Sequence, residues 1–276
     1  MLGLALRASI TSDMFNYSSR PSMSNKLSLF AEHGFEYLHW CDDWNNDVLY
    51  SADDMRRYAR LVESSSLSCL DVHGTATSEI SIDAQDEGAQ RAYIRLLENR
   101  IELCSYLGGD AVVVHPPRFK APRLSSRLER SYEVLEAVEP ICMDLGVCIA
   151  VENCYASDDR VLEAYFDRYP PEFLGFCLDS GHANLNGNME ELLSFGDRLR
   201  ALHLHDNHGE RDEHQPPFHG SIDWEPLLEW IKGCRYGKPL NFEVTHYREL
   251  FEGSMEDFLM ETVASVKRIL RMYGEK

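Results

Sequence analysis

The sequence predicts an α/β fold, a single (β/α)8 barrel, on three observations. Eight short apolar runs, rich in β-branched or aromatic residues, recur along the 276 residues. Longer segments with helical spacing separate them, which is what parallel neighbours need as crossover connections. The runs are nearly continuous in apolar residues, as strands covered on both faces are. Eight such units in a chain of this length fit a barrel. An open doubly wound sheet is the alternative, but no glycine-rich phosphate fingerprint follows the first run.

The first strand is read at LGLAL, residues 2–6. Gly34, after Phe30–His33, is a helix stop, and EYLHW ends the second strand at Trp40. Helical spacing over 51–64 leads to LSCLDV, ending at Val72. The helix at 88–107 puts Ile94, Leu97, Ile101, Leu103 and Cys104 on one buried stripe. It stops at Gly108 and Gly109 and leads to AVVVH, ending at His115. A helix at 125–145 stops at Gly146 before VCIAVE, which ends at Glu152. LGFCLD ends at Asp179, and a helix at 188–195 precedes LHLHD, ending at Asp206. A helix at 223–232 precedes NFEV, ending at Val244, and a helix at 255–273 follows. No low-complexity tract or Pro/Gly/Ser-rich seam divides the chain, so residues 1–276 are expected to form one domain.

Composition narrows the function. Lys plus Arg number 27 against 46 Asp plus Glu, a formal charge of −19. Such a chain repels nucleic acid and anionic membrane surfaces at long range. No apolar stretch reaches the roughly 18 residues of a membrane span. The N-terminus lacks a basic region and reads as a strand, not a signal peptide. Eight cysteines occur with no CxxC pair, which suits free thiols packed in a reducing, cytoplasmic setting.

Metal-ligand residue types fall at the C-terminal ends of six successive strands: His73, His115, Glu152, Asp179, His205 and Glu243. In a barrel those ends converge on one rim. One His or Glu after a strand is more often a helix cap or a surface residue. Six in succession are not explained by caps, and a carboxylate buried at a barrel mouth needs a partner or a metal. Asp179-Ser-Gly-His182 adds an imidazole three residues after a carboxylate, and Asp212 and His214 form a D-x-H pair after the seventh strand. Oxygen and imidazole donors suit zinc or manganese better than calcium or an iron–sulfur cluster, with room for more than one ion.

The order VVVHPP, VEN, CLDSGH, HLHDN, D-x-H and FEV resembles the xylose isomerase-like barrel superfamily over nearly the whole chain. That superfamily holds sugar isomerases and epimerases together with the AP endonucleases typified by endonuclease IV. Resemblance to the epimerase branch implies one divalent metal held by Glu152, Asp179, His205 and Glu243, with His182 and Arg211 on substrate oxygens. Resemblance to the endonuclease branch implies three zinc ions on nine ligands: His73, His115, Glu152, Asp179, His182, His205, Asp212, His214 and Glu243. A duplex-cleaving enzyme asks for basic residues around its site. Here the expected rim loops carry Asp42, Asp43, Asp47, Asp83, Asp86, Glu87, Asp158, Asp159 and Glu210. One basic cluster, Arg118, Lys120 and Arg123, reads as a solvated loop or as a grip on a single anionic group.

Further residues refine this picture. Asp223 is expected to cap a helix. Phe218 and His219 stand where the superfamily carries a glycine. Trp40, Trp44 and Tyr155 are placed beside the mouth, for stacking on a sugar ring or for packing. His203 points into the barrel, His208 and His246 lie near the rim, and His33, His39 and the cysteines are assigned to structure. The expected activity is a divalent-metal-dependent isomerase or epimerase of a sugar, sugar phosphate or sugar acid. Glu152, Glu243, His182 and Arg211 are its expected catalytic groups. The alternative is a multinuclear zinc hydrolase acting on a small anionic substrate. The expected partner is a small carbohydrate-like molecule, with DNA and membrane disfavoured and a homo-oligomer compatible.

Overall fold

The computed structural model describes residues 5–18, 20–77, 80–117, 124–156, 158–234 and 236–274. Its eight strands are β1 (Leu6–Thr11), β2 (Phe35–Trp40), β3 (Ser68–His73), β4 (Ala111–Val114), β5 (Cys148–Glu152), β6 (Leu174–Asp179), β7 (Leu199–His203) and β8 (Leu240–Phe242). All pair in parallel, in the order β7-β6-β5-β4-β3-β2-β1-β8. The ring closes between β7 and β8 just above the named strands. There Leu204 bridges Phe242, its N–H donates to Asn241 O (3.0 Å), and Glu243 N–H donates to Leu204 O (3.1 Å). The sequence's barrel is therefore the observed one.

The helices outside it are α1 (Met23–Glu32), α2 (Ala52–Ser64), α3 (Glu87–Leu107), α4 (Leu124–Leu145), α5 (Asp158–Arg168), α6 (Ser180–Asn186), α7 (Met189–Leu192), α8 (Trp224–Gly233) and α9 (Met255–Tyr273). Side-chain caps define several ends. Ser51 and Asp54 form a capping box on α2, as Ser254 and Asp257 do on α9. Asp223 caps α8, and Gly108 ends α3 in the left-handed region. No helix among the described residues is long and apolar enough to cross a membrane.

Several elements depart from the sequence expectation. β1 starts where the expected run stops, and residues 2–4 lie outside the described residues. Its buried Ser9 and Thr11 face the barrel interior, so LRASIT does not read as an apolar run. β7 ends at His203, because Asp206 leaves the ladder to bridge Gln215 in the following loop. The helix expected at 188–195 is a short α7 followed by a 3-10 turn that breaks at Phe195. α5 and α6 were not foreseen, and α6 starts on Asp179 itself.

The core has two layers. The larger lies between barrel and helices and includes Leu38, Val72, Val114, Ile149, Phe176 and Leu202. The smaller, Ala111, Val113, Ala150, Cys177 and Ala201, fills the barrel interior with small side chains. A strand returns to the same face every second residue. Two positions on from that layer come His115, Glu152, Asp179 and His203. The barrel thus sets those four polar side chains around its axis at one end.

Candidate metal centre

The strand ends do converge. Glu152 is the hub: His115 Nε2 lies 3.3 Å and His73 Nε2 3.5 Å from its Oε2, and His182 Nδ1 lies 3.0 Å from its Oε1. Asp212 is a second hub, with His214 Nε2 at 3.1 Å and His182 Nε2 at 3.3 Å from Oδ2, and His205 Nε2 at 3.8 Å from Oδ1. His205 also reaches both carboxylate oxygens of Asp179, at 3.0 and 3.1 Å. His203 Nδ1 lies 2.9 Å from Glu243 Oε2 and 3.6 Å from Glu152 Oε1. Eight of the nine expected ligands are tied together by these contacts. The ninth, Glu243, joins through His203.

Backbone groups aim the rings. Nδ1–H of His73 donates to Gly74 O (2.7 Å), and Nδ1–H of His214 donates to Glu243 O (2.9 Å). A carbonyl only accepts, so each ring is left with Nε2 facing its carboxylate, the usual outer-shell orientation of a metal-binding imidazole. Asn153 exchanges two 2.8 Å hydrogen bonds with the Asp179 backbone, and Asp179 Oδ1 accepts from His182 N–H (2.7 Å). Asp179 is therefore both a helix cap and a member of the site. His205 stacks on His214 at 4.0 Å and 4°. It can do so because Gly181 has no side chain: a Cβ there would lie 2.0 Å from the imidazole.

The loop after β7 is organised by the buried Asp206. Its carboxylate accepts from Asn207 N–H (3.0 Å), Ile222 N–H (3.2 Å), Phe218 N–H (2.9 Å) and Trp224 Nε1–H (3.0 Å). Phe218, where a glycine was expected, holds the left-handed conformation at φ +72. The loop keeps its shape without glycine, with the Arg268 guanidinium 3.7 Å above the Phe218 ring. His214 is itself left-handed, at φ +45.

Electrostatics follow from this crowding. Burial works against the Glu152 carboxylate, but His115 and His203 hold it well below the usual range. Glu243 and Asp212 are likewise lowered against burial, by His203 and by His214 respectively. Burial opposes charge on the imidazoles too, yet Asp212 raises His214 to about 10. Asp179 raises His182 against the same burial.

The donors fit a divalent ion. Glu152 Oε2 and His182 Nδ1 are buried and make no hydrogen bond, although partners stand 3.0–3.5 Å away. Two donors on one tetrahedral zinc, each about 2.1 Å from it, stand about 3.4 Å apart. The separations at Glu152 match that edge.

Some expected residues take other places. Arg211 is exposed, reaches Glu213 (3.4 Å), and does not line the cavity. Trp40 packs on Tyr58 in the helix layer, away from the mouth. Trp44 does stand at the mouth, 5.5 Å from the His73 ring and 6.0 Å from His115. Tyr155 borders a small cavity with His115. Asp83, expected on the rim, is buried and paired with Arg127. His246 is buried among Phe15, Phe251 and Phe258, while His208 is exposed on Glu213. His39 pairs with Asp71 in the barrel interior, with its ring 4.7 Å from that of His203. Arg118, Lys120 and Arg123 lie outside the described residues.

Several residues at the site escaped the sequence reading, among them Tyr17, Thr245 and Tyr247 on the cavity wall. His203 was placed in the barrel but not on the carboxylates. Asp13, just past β1, lines the cavity and accepts from Thr11 Oγ1 (2.5 Å) and Trp44 Nε1 (3.2 Å). Burial and Glu243 raise its carboxyl above the ordinary range. The strand-end rule that found the others would have found it, had the first strand been placed four residues later. The cavity is small, about 80 Å³. It shares Tyr17 and Trp44 with a polar pocket of about 360 Å³ that includes Asn16, Lys26, Asp42 and Asp43.

A family described as xylose isomerase-like TIM barrel matches residues 27–266. The Sinorhizobium fredii protein y4fM is 32% identical over 248 residues, covering 79% of this chain and 80% of that one. L-ribulose 3-epimerase of Methylomonas sp. is 24% identical over 230 residues, covering 77% and 75%. Among solved structures, a D-tagatose 3-epimerase-like protein superposes with a TM-score of 0.75 at 24% identity, over 96% of each chain.

Proposed function

The chain belongs to the xylose isomerase-like TIM barrel family, and from that footing we propose a divalent-metal-dependent isomerase or epimerase acting on a sugar, sugar phosphate or sugar acid. The observation that carries the reading is the hub itself: two buried carboxylates, Glu152 and Glu243, reach one His203 nitrogen from different strands, at the floor of a polar cavity. A zinc or manganese ion held by Glu152, Asp179, His205, Glu243 and their imidazole neighbours would polarise a substrate carbonyl.

The chain's own groups then account for the proton. Glu152 ends β5 and Glu243 directly follows β8, so the two carboxylates enter the cavity from different strands. Held ionised at neutral pH, each can take a proton next to a carbonyl and return it, giving an enediolate between the two steps. His182, between Glu152 and Asp212, can donate to the oxygen that gains charge. Trp44 and Tyr17 offer flat apolar faces at the entrance, and the acidic and amide side chains beside them suit hydroxyl groups.

A second reading, a multinuclear zinc hydrolase on a small anionic substrate, is favoured by one observation. His73 and His115 gather on one carboxylate, and His182 and His214 on another, giving more donors than a single ion uses. Assays on aldoses, ketoses and their acids test the choice. Interconversion that stops with chelator and returns with zinc or manganese is expected, and Glu243→Gln should lower it by about 100-fold or more. Phosphodiester turnover that needs His115 and Asp212, with no sugar interconverted, would select the hydrolase.

A further inference from the structure

Cys154 follows Glu152 by two residues, in the sequence Glu152-Asn153-Cys154 at the top of β5. Its thiol is half-buried and in no disulfide, 3.9 Å from Glu152 O and beside the His182 ring. Its sulfur, a ring nitrogen of His115 and a carboxylate oxygen of Glu152 all lie within 4.8 Å of one another. An independent observation points to a cation at this place. Glu152 Oε2 is buried without a hydrogen bond, although His115 Nε2 stands 3.3 Å and His73 Nε2 3.5 Å from it.

We infer that Cys154 is a metal ligand, and that with His73, His115 and Glu152 it makes the ion position at Glu152 a thiolate-bearing zinc site. The inference rests on the metal-dependent reading of the site and is independent of the isomerase chemistry. Binding converts the thiol to a thiolate: its proton passes to solvent, a sulfur lone pair goes to the ion, and nothing is oxidised or reduced. Two neutral imidazoles, one carboxylate and one thiolate balance the two positive charges and complete four-coordination. A sulfur donor also selects zinc over manganese at this position.

Cys41 is the other thiol at the cavity, and its surroundings argue against it. It is fully buried, 3.8 Å from Glu243 and near Asp13, so a thiolate there would face two carboxylates. Cys41 does share its place with His73 and Glu243, but Cys154 stands with His115 at Glu152, whose Oε2 is buried without a hydrogen bond.

Cobalt(II) replaces zinc in such sites and reports its ligands. The full-length protein is stripped with chelator, reloaded with cobalt, and followed for bound metal, for the visible d–d bands and for a near-ultraviolet thiolate-to-cobalt charge-transfer band. The expected result is that the charge-transfer band forms in the wild type, survives Cys41→Ser and disappears in Cys154→Ser while visible bands remain. Cys154→Ser should also hold zinc at least about 10-fold more weakly in chelator competition. The wild-type spectrum alone decides whether any thiolate binds, so a misfolded variant does not spare the idea. Bound cobalt with visible bands and no charge-transfer band overturns the inference and leaves the metal reading standing. A band that persists in Cys154→Ser also overturns it, and failure to bind cobalt at all overturns both.

Discussion

At the scale of residues, the site is a set of mutually charged groups whose balance depends on pH. His214 is raised from 6.5 to about 10 and His182 and His203 are raised as well, while Glu152, Asp212 and Glu243 are lowered. A raised imidazole contributes stability that is complete below its ordinary value and is lost as pH climbs through the raised one. A lowered carboxyl does the opposite, losing its contribution as pH falls. The chelated protein should therefore melt at progressively lower temperature as pH rises from 6.5 toward 10. Thermal denaturation across that range checks it, and a flat alkaline limb would show that the imidazoles are not held by their carboxylates. Metal must displace those imidazole protons, so zinc binding near neutral pH should release protons, visible as a dependence of binding heat on buffer. Most of these residues were legible in the sequence, because a ligand residue type at a strand's end needs only the strand to be found. Asp13 was not, because polar Ser9 and Thr11 hid the strand that carries it.

At the scale of elements, two features hold the donors in place. Asp206 ties the loop that carries Asp212 and His214 to the start of α8 through four hydrogen bonds. Asp206→Ala strands those donors in a buried setting and should cost about 4 kcal/mol, read from denaturant unfolding of the metal-free protein. A loss below about 1 kcal/mol would mean that the loop finds other partners. Gly181 lets α6 pass close under His205, and Gly181→Ala should displace that ring and weaken metal retention by more than about 10-fold. The sequence marked strands and long helices well, since their apolar spacing is set by the layers they bury. It left out α6 and misplaced the end of β7 for one physical reason: both are fixed by side-chain hydrogen bonds of Asp179 and Asp206, which have no periodicity to read.

At the scale of the whole molecule, the barrel turns residues spread over more than half the chain into neighbours, and the −19 charge shapes what can approach them. A duplex grip is not expected, so abasic-site DNA should neither bind nor be incised at physiological ionic strength. Salt-sensitive, site-specific cleavage would count for the hydrolase. The central claim is that the carboxylates on β5 and β8 move a proton at a carbon next to a carbonyl. Its most direct test is to incubate the metal-loaded protein in deuterated water with a panel of aldoses, ketoses and sugar acids and to follow carbon-bound deuterium by NMR. The expected result is metal-dependent exchange at one carbon, lowered by about 100-fold or more in Glu243→Gln. No exchange across the panel, with phosphoester hydrolysis that requires His115 and Asp212, would contradict the claim.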